Sequence, residues 1–102
     1  MSELTRRAWK AYFRGNYLQA GDLYKSAGEL DKASKMYSKG GDLRAAAEVE
    51  EALGRITRAV DYLLRAGDPN SAALMLGRHG HFTRAAQIYA DAGNKVQAAA
   101  MA

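Results

Sequence analysis

The chain has no cysteine among its 102 residues. That excludes disulfides, thiolate metal sites and a cysteine nucleophile, and it fits a reducing compartment. Proline occurs once, and no Ser/Pro-rich or low-complexity stretch offers a linker, so the length corresponds to one domain, residues 1–102. No apolar run approaches the roughly 18 residues that span a bilayer. The opening Met1-Ser2-Glu3-Leu4-Thr5-Arg6-Arg7 leads into a helical pattern without a signal-peptide apolar core, and a cytoplasmic protein is expected. Phosphate-cradling G-x-x-x-x-G-K-[ST] and G-x-G-x-x-G motifs are missing, as is any Ser/His/Asp arrangement. No cofactor, metal site or enzymatic activity is expected. The charge balance is a mild +4, which favours acidic partners without the dense Lys/Arg clusters of dedicated nucleic-acid binders.

What the chain does have is a period. Glycine recurs every thirteen positions, at Gly15, Gly28, Gly41, Gly54, Gly67, Gly80 and Gly93. Five residues after each stands an alanine, from Ala20 and Ala33 through to Ala98. A glycine just past a helix end adopts the left-handed backbone without steric penalty, so each marks a helix stop. The next residue is then the N-cap of the following helix, and Asn16, Asp42, Asp68 and Asn94 are strong acceptors there. Pro69 follows Asp68 at the first helical position, where its missing N–H and fixed φ cost nothing.

Within each unit apolar residues fall two, five, six and nine positions after the glycine, the stripe of one helix face. In the unit from Gly80 these are Phe82, Ala85, Ala86 and Tyr89. Helices of about ten residues are unstable alone, so each must lean on its neighbours. The first helix, about residues 2–14 with Ser2 as N-cap, carries Trp9, Tyr12 and Phe13 and suits a capping element.

The run from Ala11 to Ala27, with an aromatic pair, turn glycine, Tyr17, Ala20, Tyr24 and Ala27, resembles the middle of a tetratricopeptide repeat. The run from Phe82 to Gly93 is similar to hairpins of vesicle-coat and SNAP-type solenoids. A tetratricopeptide unit has 34 residues and this hairpin unit has 26, so its helices are shorter. The expected fold is all-α, a right-handed α-solenoid of about eight short antiparallel helices in four hairpins, with units starting at 15, 28, 41, 54, 67, 80 and 93.

Alternate helices differ in one respect. A basic residue recurs every 26 positions at Arg6, Lys32, Arg58 and Arg84, while the intervening helices hold Gln19, Ala45, Ser71 and Gln97. Lys39 and Arg65 follow Lys32 and Arg58 at i+7, extending the set along the same face. Solvated helix faces carry such charges for solubility alone. Alternatively the six form a positive ladder that binds an acidic segment of another protein, the leading functional expectation. Nucleic-acid binding through the same ladder is the alternative, with tyrosines as stacking platforms. Tyr17, Tyr24, Tyr37 and Tyr89 stand where other units have Leu or Ile, which points to core packing.

His79 and His81 flank Gly80 without a third ligand and read as turn residues. Glu48, Glu50 and Glu51 read as a solvated acidic face. The sequence stops part-way through the unit from Gly93 without a polar capping helix, so either further chain follows or this end packs on another copy.

Overall fold

A computed structural model describes residues 2–93. They form seven helices and no strand: α1 (Glu3–Phe13), α2 (Tyr17–Ser26), α3 (Leu30–Lys39), α4 (Leu43–Ala52), α5 (Ile56–Arg65), α6 (Pro69–Arg78) and α7 (Phe82–Asp91). The eighth helix, expected after Gly93, lies outside the described residues.

The stops are where the glycine period puts them. At Gly41, φ is +87°, and a Cβ built there meets nothing within 4 Å. Backbone conformation alone therefore calls for glycine. The Gly41 N–H donates to Ser38 O at 3.1 Å and the Asp42 N–H to Tyr37 O at 2.9 Å. This paired closure satisfies carbonyls that the helix end would otherwise leave open. The other periodic glycines share the left-handed φ, between 76° and 84°.

The starts agree in part. Ser2, Asp42 and Asp68 each accept from the backbone N–H three residues on, at 3.1, 3.0 and 3.0 Å. Asn16, expected to do the same for α2, makes no side-chain cap bond. That turn is exposed, so water can serve the orphan amides. Asn94 lies outside the described residues.

Each helix packs mainly on the next in sequence, along a body of 49 × 21 × 13 Å. The alanines five after each glycine, Ala20 through Ala85, are fully buried and let neighbouring backbones approach closely. In α1 the equivalent position is Arg7, which is exposed. The position that buries alanine in the later helices is thus polar in α1.

A second packing rule joins residue i of one helix to i+16 of the next, small against large. A Cβ added to Gly21 would stand 2.8 Å from the Tyr37 ring, so glycine makes room for that ring. The equivalent pairs Ala47 and Leu63, Val60 and Leu76, and Ala73 and Tyr89 are buried together in one core cluster. Ala8 and Tyr24 are buried in another. The sixth pair breaks the rule by being polar: Ser34 Oγ donates to Glu50 Oε1 at 2.8 Å. Glu50 is only 1% exposed, so the expected solvated face of Glu48, Glu50 and Glu51 is corrected here. The period explains why, because Glu50 stands nine residues after Gly41, where other units bury Tyr or Leu. Only Glu48 of the three is exposed.

No described helix is long and apolar enough to cross a membrane.

Candidate functional site

The six basic residues singled out by the period, Arg6, Lys32, Lys39, Arg58, Arg65 and Arg84, are all exposed. Two of them meet at a concave feature. Lys32 and Lys39 line an open trough of about 410 Å³ whose long side is α3. Trp9 and Tyr12 of α1 form one wall and Tyr62 of α5 the other, with Met36 and Tyr24 between. The third cation in the trough is Lys35, which the 26-residue period does not pick out because its equivalents are Trp9, Asp61 and Gln87. A signal was available in the spacing of α3 itself. Lys32, Lys35, Met36 and Lys39 are i, i+3, i+4 and i+7, one face of a helix. Among the described residues no carboxylate lines the trough, though Glu29 stands beside its Lys32 end.

The amines at its two ends each have neighbours. Lys32 Nζ lies 3.3 Å from Glu29 Oε1 and 5.6 Å from the centre of the Tyr24 ring. Lys39 Nζ lies 5.4 Å from the Tyr12 ring centre and 6.0 Å from that of Tyr17. Such cation–π placement attracts the ammonium while leaving it hydrated. The tyrosines thus divide: Tyr24, Tyr37 and Tyr89 are core, whereas Tyr17, expected among them, is half-buried beside Lys39.

The other members of the ladder serve elsewhere. Arg58 Nε stands 3.5 Å from Glu50 Oε2, and Arg55 Nη1 stands 3.6 Å from the same oxygen. Glu50 Oε2 accepts no hydrogen bond among the described residues, so these two guanidiniums are what balances its charge. Arg65 is not in the trough lining but lies over the ring of Tyr62, one of its walls, at 5.4 Å. Arg6 and Arg84 do not line the trough.

Three polar ties link α1, α3 and α4 to the start of the helix two further on. Thr5 Oγ1 donates to Glu29 at 2.7 Å, Arg55 pairs with Asp31, and Arg44 donates to Asp68 at 2.6 Å. All three join residues 24 apart. The Thr5 hydroxyl holds the Glu29 carboxyl below its usual range, and the Arg55 guanidinium does the same for Asp31. The side-chain and backbone donors of Ser71, with Arg44 behind them, hold Asp68 down to about 2. Glu51 accepts from Arg78 at 2.9 Å and lies 2.8 Å from His79 Nε2, and these partners lower its carboxyl in turn. His79 and His81 are the C-cap of α6 and the N-cap residue of α7, the turn placement expected of them. No group of His, Cys, Asp or Glu among the described residues is arranged to hold a metal ion.

Compared with protein-family models, with curated proteins and with solved structures, the chain matches none.

Proposed function

We propose that this chain is a non-catalytic interaction module, a right-handed α-solenoid with a short tetratricopeptide-like hairpin unit, that binds an acidic segment of another protein. The observation that carries this reading is the trough along α3, where aromatic and Met side chains are flanked by three lysines, with no carboxylate in the lining among the described residues. An apolar floor supplies contact area, and amines at the rim select and steer an acidic partner. Stacked nucleobases fit less well, because lysines already lie over the rings of Tyr12, Tyr17 and Tyr24. A reducing compartment such as the cytoplasm suits a chain without cysteine.

The test compares a Glu- and Leu-rich peptide with a single-stranded oligouridylate, each titrated at low salt against the native chain and against K35E/K39E. The reading expects the peptide to bind, to lose about tenfold affinity in the variant, and to weaken as salt screens the lysines. Preferential binding of the oligouridylate would replace it with a nucleic-acid module.

A further inference from the structure

We infer that the occupant of this trough is an acidic amphipathic helix lying along α3, with carboxylates seven residues apart and large apolar side chains between them; this rests on the acidic-segment reading above. The shape of the site follows α3. Lys32 and Lys39 mark its ends, and Met36 lies between them against the walls formed by Trp9 and Tyr62. At 1.5 Å rise per residue the two lysines are roughly 10 Å apart along the axis. Before a ligand arrives the Lys32 amine rests beside Glu29 and the Lys39 amine over the Tyr12 ring.

A helical partner matches that spacing directly. Its i and i+7 side chains point the same way and lie roughly 10 Å apart, while i+3 and i+4 fall between them on the same face. An extended peptide matches less directly. At about 3.3 Å per residue it covers the distance in three residues, and positions three apart point to opposite faces of a strand. Carboxylates two or four apart share a face but fall about 3 Å short or long. Lys35, exposed on the same face and attracted at most by Asp31 one turn earlier, then meets an acidic or polar group on the flank of the bound helix.

Trp9 supplies the reporter, since it is the chain's single tryptophan, lines the trough and is 46% exposed. Three alanine-based peptides without tryptophan should be titrated against the full chain, following Trp9 emission and far-ultraviolet circular dichroism. The first has Glu at i and i+7 with Leu at i+3 and i+4. The second has the same composition with the Glu residues five apart, and the third keeps the first order with a central proline. The first is expected to bind at least tenfold more tightly than the others and to gain helical signal on binding. That advantage should vanish in K32E/K39E and persist in R7E/K25E, which changes net charge equally outside the trough.

Equal affinity for all three peptides would overturn the helical geometry and leave the acidic-segment reading standing. Binding that K32E/K39E leaves untouched would overturn the placement along α3. If none of the peptides binds at low salt, the acidic-segment reading itself fails.

Discussion

Glu50 shows most sharply what a single residue does in a periodic chain. Its position elsewhere holds buried Tyr or Leu, and the partner residue sixteen earlier is elsewhere Gly, Ala or Val. Ser34 and Glu50 are therefore a polar substitution within an apolar rule. A buried carboxylate with one oxygen short of a hydrogen bond pays a desolvation penalty that two half-exposed guanidiniums at 3.5 and 3.6 Å only partly offset. Replacing both members by the pair the chain uses one helix later, as S34A/E50L, should raise stability by about 1 to 4 kcal/mol in urea unfolding. A fall in the midpoint would contradict the account. Arg58→Ala should act in the opposite direction, because it removes a counterion and leaves the buried charge. Arg58 thus belongs to the fold as much as to the surface, and Lys35 and Lys39 are the better residues for probing binding by charge reversal. The burial of Glu50 was open to inspection in the glycine register. Proximity to Glu48 and Glu51 in sequence hid it, because adjacent residues on a helix face different ways.

For the helices, the decisive information is at their ends. The glycine and the capping residue beside it together set where one rod stops and the next begins, and these boundaries were readable because turn chemistry is local. Asp68 makes the point quantitatively. It accepts from the Ser71 backbone at 3.0 Å and from the Ser71 hydroxyl at 2.6 Å, and it pairs with Arg44. Asp68→Ala should cost about 1 kcal/mol, the usual worth of an N-cap. Asp68→Asn keeps a capping acceptor and removes the charge. The native carboxyl titrates at about 2 when folded, against about 3.9 for an unperturbed aspartate. Between these values the unfolded chain binds more protons, so the contribution is present above about pH 4 and is lost as pH falls towards 2. Stability curves of native chain and D68N, measured by thermal unfolding, should therefore differ near neutrality and converge across that interval. A constant gap would show that the charge is not what Asp68 contributes. Asn16 marks the limit of reading caps from residue type, since it has the right side chain and makes no capping bond.

Across the whole molecule, the core divides into two clusters that meet at α4. Ala46 and Val49 belong to the first and Ala47 to the second, and the Ser34–Glu50 pair lies at this seam. The order of helices and the buried alanines could be read from the period, because packing repeats with the sequence. The trough could not. It draws on Trp9, Met36 and Tyr62, which occupy two different positions of the unit, and on Lys35, whose period equivalents are not basic. Departures from the repeat, rather than the repeat itself, make this surface specific, and a basic ladder read from the period alone mixes trough lysines with the counterions of Glu50. The most direct measurement is a nitrogen-15 spectrum of the labelled chain during titration with the Glu/Leu peptide. Shifts are predicted to concentrate on the Trp9 indole, the amides of α3 and Tyr62, and to leave α4 and α6 in place. Shifts centred on α4 and α6, or spread evenly along all the helices, would contradict the account.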